Sequence, residues 1–196
     1  MRLEIFLLLA ILLLLFAYIV FRYFVRRDYR DRGQLGAVTS ITQLSVFVVY
    51  FGFPYLFNPP EWAWFWRQSG SAPQALQLLG FGLICGGIIT AFGTMAWFGM
   101  GKAFGVIIEG ITIQGPYKIS RNPQILGIYL MVIGTVLQRP SLYAVVWLVM
   151  YSLISHWNIM TEEDHLYRIF REKYQKYCSE VPRYLRVPKK TKEASA

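Results

Sequence analysis

Two adjacent carboxylates, Glu162-Glu163, follow a long apolar run. Three short polar groups stand near them in the order of the chain: Gly115-Pro116-Tyr117, Arg121-Asn122-Pro123 and Val181-Pro182-Arg183. Polar groups flanking two membrane-depth helices on one side suggest a site at the membrane surface. A carboxylate there can take a cation, and Arg121 or a helix N-terminus an anion. They do not assemble into a Ser-His-Asp or Cys-His arrangement, so no acid/base residue is assigned. Each also has a plainer role. Glu162-Glu163 would complement the positive end of a helix opening at Thr161. Arg121 would anchor a membrane face, and Tyr117 would sit at the interface. His156 and His165 lie nine apart, a poor spacing for one helix face, and neither cysteine belongs to a Cys/His ligand pattern. No metal site is expected.

The elements that position these groups are membrane helices. The chain is 196 residues long and 55% hydrophobic, more than the interior of a soluble domain of this size can hold. Leu3 to Val25 is an almost unbroken apolar run, where about 20 residues suffice to span a bilayer. A signal peptide fits less well, because no small-residue cleavage site follows Arg26-Arg27. Five spans are read: Leu3–Phe24, Ile41–Phe57, Ala75–Phe98, Pro123–Leu137 and Leu142–Met160. With these limits, seventeen of the twenty Lys and Arg fall on one side. The positive-inside rule then puts the N-terminus outside and the C-terminus in the cytoplasm. It also accounts for the net charge of +9 without a nucleic-acid partner. Cys85 falls in the bilayer and Cys178 in the cytoplasm, so no disulfide joins them.

Between the spans, Glu61-Trp62-Ala63-Trp64-Phe65-Trp66 reads as an aromatic belt at the outer headgroups. Gly82 and Gly86 form a small-xxx-small pair, expected to seat a neighbouring helix. Gly127 and Gly134, seven apart, put a flat stripe on the fourth span, suited to seating a neighbouring helix or to letting a ligand come close. Residues Gly99–Arg121 form a long cytoplasmic connector, longer than an ordinary connection, and are expected to line a site. Pro123 suits the first turn of a helix. After Met160 a separate amphipathic helix is expected on the cytoplasmic face, with Leu166, Ile169, Phe170, Tyr174 and Tyr177 on one side. His165 reads as a solvated residue of that helix. The fold class is therefore an all-α integral membrane protein of five transmembrane helices, the last two a hairpin, plus a C-terminal amphipathic helix. Residues 1–98 hold three helices, 99–188 a functional core and 189–196 a tail.

The order and spacing of Gly115-Pro116-Tyr117, Arg121-x-Pro123, Gly127, Glu162-Glu163, Phe170-x-x-x-Tyr174-x-x-Tyr177 and Val181-Pro182-Arg183 resemble the isoprenylcysteine carboxyl methyltransferase family. That family belongs with the phospholipid methyltransferases. The resemblance covers roughly Lys102–Arg186. It implies S-adenosylmethionine as cofactor and S-adenosylhomocysteine as product. Carried over by position, the implied cofactor residues are Lys102, Glu109, Gly110, Ile111, Thr112, Tyr117, Asn122, Pro123, Gln124, Ile125 and Glu162, and Arg121 joins them as a donor suited to the cofactor's carboxylate. Asn158, His156, Glu163 and Arg183 are the substrate candidates. Three positions depart from the family pattern: Asn122 replaces a histidine, Ile125 a tyrosine and Asn158 an arginine.

The resemblance implies methyl transfer at the cytoplasmic membrane face to the carboxylate of a prenylated cysteine or a similar lipid-linked acid. Such an acceptor is already ionised at neutral pH, so alignment and exclusion of water suffice. That agrees with the absence of an acid/base group. The implied partners are membrane lipids and a lipid-linked small molecule or prenylated protein. Methylation of a phospholipid amine is the nearest alternative. An NADPH-dependent membrane reductase and a non-enzymatic scaffold are the alternatives of other classes.

Overall fold

The structure is a computed structural model that describes residues 2–56, 72–99 and 110–185. The tryptophan-rich segment, Lys102, Glu109 and the tail lie outside the described residues. Everything described is helix, turn or coil. The first helix is α1 (Leu3–Ile19), continued by a π-helical segment (Val20–Val25) and by α2 (Arg26–Asp31). Then come α3 (Ala37–Gly52), α4 (Gln74–Phe98), α5 (Pro123–Gln138) and α6 (Leu142–Glu180). Four helical stretches are long and apolar enough to cross a membrane: Leu3–Asp31, Ala37–Tyr55, Gln74–Trp97 and Leu142–Glu180. The 16 residues of α5 make about 24 Å, short of a hydrocarbon core of about 30 Å.

Pro123 occupies the first turn of α5, where its missing N–H costs nothing. The start of α6 is fixed by Ser141, whose Oγ accepts from the Ala144 N–H at 3.1 Å. From there α6 runs on past Met160 and Thr161 without a break. This corrects the sequence reading of a separate helix opening at Thr161. No Gly or Pro interrupts the stretch, and the change from apolar to charged residues alters its environment, not its backbone. The turn comes at Arg171 instead, with φ 39° and ψ −112°. Glu162 and Glu163 are therefore mid-helix, and the positive end of a helix does not account for them.

Contacts along the helices distinguish two ends of the bundle. At one end Phe6 packs on Phe53 and Tyr143, with ring centroids 5.2 and 4.8 Å apart. At the other, Tyr29 packs on His165. The first helix thus runs parallel to α6. Every ion pair formed between described residues lies at this second, polar end.

Polar groups in the apolar middle are satisfied internally, as hydrocarbon surroundings require. Tyr50 OH donates to the Trp147 carbonyl, and Trp147 Nε1 donates to the Tyr50 carbonyl, both at 3.1 Å. Their rings stack with centroids 5.1 Å apart.

The closest helix pair is α4 with α5. Gly80 lies on Gly134 and Gly87 on Gly127, an antiparallel register. A Cβ at Gly127 would stand 2.5 Å from the Ala91 nitrogen and 2.8 Å from the Gly87 oxygen. Lipid gives no hydrophobic push between helices, so close backbone approach of this kind carries the association. The expected pair was different: Cβ atoms at Gly82 and Gly86 would meet nothing within 4 Å. The stripe of Gly127 and Gly134 does seat a neighbour.

Candidate functional site at the polar end

The turn Gly115–Lys118, the start of α5, the middle of α6 and residues 181–183 converge at the polar end. The backbone ties come first. The Arg121 N–H donates to the Pro182 carbonyl at 2.9 Å. The Arg183 carbonyl accepts from Ser120 Oγ at 3.2 Å and from Asn122 Nδ2 at 3.1 Å. Tyr177 OH donates to the Tyr117 carbonyl at 2.8 Å. Together these bonds fasten the last described residues onto the loop before α5. The Asn122 amide, at the position of the family histidine, is used in this fastening.

Glu163 is the electrostatic centre of the closure. Its carboxylate meets Arg121 Nη1 at 2.9 Å and takes a two-pronged contact from Arg183, Nη2 at 2.6 Å and Nε at 3.1 Å. Glu163 and Arg121 side chains are each only 12% exposed, so charge neutralisation there is needed for burial. Arg121 Nη1 also donates to Cys178 Sγ at 2.7 Å. Two guanidinium groups thus serve one carboxylate. Replacing Arg121 with Met is expected to cost about 3 kcal/mol, the low end for stranding a buried ion-pair partner, because Arg183 remains. Thermal unfolding in detergent measures it. Adding Glu163→Gln should recover part of the loss.

Glu162, next in sequence, is different. Among the described residues it has no ion-pair partner. It reaches the surface, yet neighbouring protein crowds it closely enough to desolvate it. Glu162 thus reaches the surface through a crowded setting, the recess it forms with its neighbours. Burial first, and the neighbouring Glu163 charge second, push its pKa up to about 7. Tyr117 and Tyr29 share its surroundings. Burial raises both phenols above their ordinary range, and the Glu162 charge raises them further. Gln124 stands beside the Tyr117 hydroxyl. Its Nε2 is buried there, as is Arg121 Nε. The recess therefore offers a carboxylate with no ion-pair partner among the described residues, close to Tyr117 and Tyr29. A carboxylate so placed can take a cationic group.

The remaining sequence candidates are placed as follows. Pro123 is buried at the head of α5. Ile125 packs into the apolar core, and its carbonyl accepts from Tyr151 OH at 3.2 Å. Gly110 and Ile111 line a groove of about 450 Å³ with Phe170, Lys173 and Tyr177, and Thr112 is half-buried beside them in sequence. Asn158 is half-buried one turn before Glu162, whereas His156 is exposed. His165 departs from expectation: it is buried, its ring stacked on Tyr29 at 4.1 Å and 8°. Sequence reasoning missed this pair because Tyr29 lies in an arginine-rich segment that reads only as a membrane anchor.

A family model, PEMT, described as phospholipid methyltransferase, matches residues 74–173. The chain belongs to that family. No curated protein matches the chain, and no solved structure does. The matched stretch opens at the first residue of α4 and closes two residues past the Arg171 turn. It takes in the α4–α5 glycine contact, Arg121 and both glutamates. Membership makes the protein a membrane methyltransferase of lipid-type substrates, in a family whose members generally use S-adenosylmethionine.

Proposed function

We propose that this phospholipid methyltransferase family member transfers a methyl group from S-adenosylmethionine to a lipophilic acceptor at the cytoplasmic face of the membrane. The observation that carries the reading is Glu162, a carboxylate with no ion-pair partner among the described residues, whose neighbouring acid is already neutralised by two arginines. Glu162 would hold the cofactor's ammonium. Gln124, Tyr117 and the start of α5 would face its acid group and the rest of the molecule. The cofactor supplies a methyl on a sulfonium sulfur, which leaves by in-line displacement. The chain's task is then alignment and exclusion of water. α5 serves as a fifth crossing in this reading, and the N-terminus lies outside.

The acceptor implied by the sequence resemblance is the carboxylate of a prenylated cysteine or similar lipid-linked acid. One observation favours a phospholipid amine instead. Asn158 carries no charge, and Arg121 and Arg183 are both committed to Glu163. A carboxylate acceptor would find neither cation free. A phospholipid amine needs no cation: its ammonium would first release a proton to water, and the freed nitrogen lone pair would take the methyl as the sulfonium C–S bond breaks.

Calorimetric titration of the detergent-solubilised protein with S-adenosylmethionine, S-adenosylhomocysteine and NADPH tests the cofactor. Binding of the first two is expected. Binding of NADPH alone would replace this reading with a reductase, and binding of none with a scaffold. Tritiated methyl transfer to phosphatidylethanolamine or to a farnesylated cysteine acid, offered together in vesicles, then decides the acceptor.

A further inference from the structure

The first helix lies outside the matched residues 74–173, yet α6 is fastened to it along one stripe. Thr161, Asp164, His165 and Arg168 recur at helical spacing, and each engages it. Thr161 Oγ1 donates to the Phe21 carbonyl at 3.2 Å. Phe21 lies in the π segment, where the wider turn leaves a backbone carbonyl in need of a donor. Asp164 faces Arg22 and Arg26, each at 3.7 Å. His165 stacks on the Tyr29 ring, and Arg168 Nη2 donates to the Tyr29 carbonyl at 2.6 Å.

Tyr29 is thus held by its ring and by its backbone, and only 6% of it is exposed. Its hydroxyl makes no hydrogen bond to another described residue, which leaves the phenol's one polar atom to a ligand or to water. Glu162 is three residues before His165, and side chains three apart on a helix are surface neighbours. A ring lying flat on His165 therefore stands beside Glu162. The Glu162 charge acting on the Tyr29 phenol agrees with that placement.

We infer that Tyr29 is a ligand-contact residue of the same recess, its phenol oxygen accepting a hydrogen bond from the cationic amino group that pairs with Glu162. This rests on the cofactor reading above. It assigns the N-terminal helix a part in binding that the matched region does not contain. The Tyr29–His165 stack and the Arg168 bond preorganise the phenol before any ligand arrives, which limits the ordering cost of binding.

The test is calorimetry on wild type and Tyr29→Phe with two ligands. One is S-adenosylhomocysteine. The other is 5′-methylthioadenosine, which lacks the amino-acid end. Tyr29→Phe keeps the ring and the stack, so its melting temperature should match wild type. It should weaken S-adenosylhomocysteine about five- to tenfold, the value of one hydrogen bond, and leave 5′-methylthioadenosine unchanged. In a Glu162→Gln background the same change should cost less, since both groups meet one amino group. Equal binding of S-adenosylhomocysteine by wild type and Tyr29→Phe overturns this inference alone. So does equal loss of both ligands. Failure of wild type to bind either ligand overturns the cofactor reading and this inference with it.

Discussion

Glu162→Gln is expected to weaken S-adenosylmethionine binding about a hundredfold, as for loss of a charge-assisted contact in a desolvated site. The change keeps volume and removes only charge, so the fold should persist. The pH dependence is as informative as the magnitude. The Glu162 pKa stands near 7 in the ligand-free protein. A cationic ligand selects the ionised form. Affinity should therefore rise about tenfold per pH unit between about 5 and 7 and level off above. Glu162→Gln should flatten that profile. Stability should move the opposite way. A carboxyl whose folded pKa is raised binds more protons folded than unfolded between about 4.5 and 7. The ligand-free protein therefore loses stability as pH rises through that window. Glu162→Gln should melt higher than wild type at pH 8 without ligand. Thermal melts with and without S-adenosylhomocysteine separate the two effects. A variant that binds like wild type at every pH would remove Glu162 from the site.

Gly127→Val is expected to lower stability by about 3 kcal/mol or more, beyond the usual range for inserting methyl groups into a packed interior. The added Cβ would meet the backbone of Ala91 and Gly87, and no rotamer change relieves a backbone clash. α4 and α5 would have to separate, taking the start of α5 away from α6. Gly82→Ala, where the Cβ would meet open space, should be neutral or slightly stabilising because a helical glycine is lost. Equal thermal stability of the two variants would show that the α4–α5 contact does not hold the bundle together.

These outcomes bear on what the sequence could reveal. Pro123 at a helix start and long apolar stretches near the expected spans were legible, because propensity and length are local properties. The side each glycine faces was not. In lipid both faces of α4 are apolar, so polarity does not mark which of Gly80, Gly82, Gly86 and Gly87 meets α5. The continuity of α6 was hidden by a change of composition at Met160 that resembled a boundary. Glu162-Glu163 stand out in the sequence as a pair, but their division of labour depends on Arg121 and Arg183, which are distant in sequence from each other. Tyr29 was the least legible. Its partners His165 and Arg168 are more than a hundred residues away, and its hydroxyl gains meaning only beside Glu162.

The unbroken course of α6 has a mechanical consequence. From Leu142 to the Arg171 turn a single rod joins the apolar core to the recess, with no joint between them. A thicker or thinner bilayer tilts such a rod as a whole. Glu162 and Glu163 move with it, against the loop and arginines that face them. The lipid surroundings of this protein are thereby geared to the spacing of its charged groups.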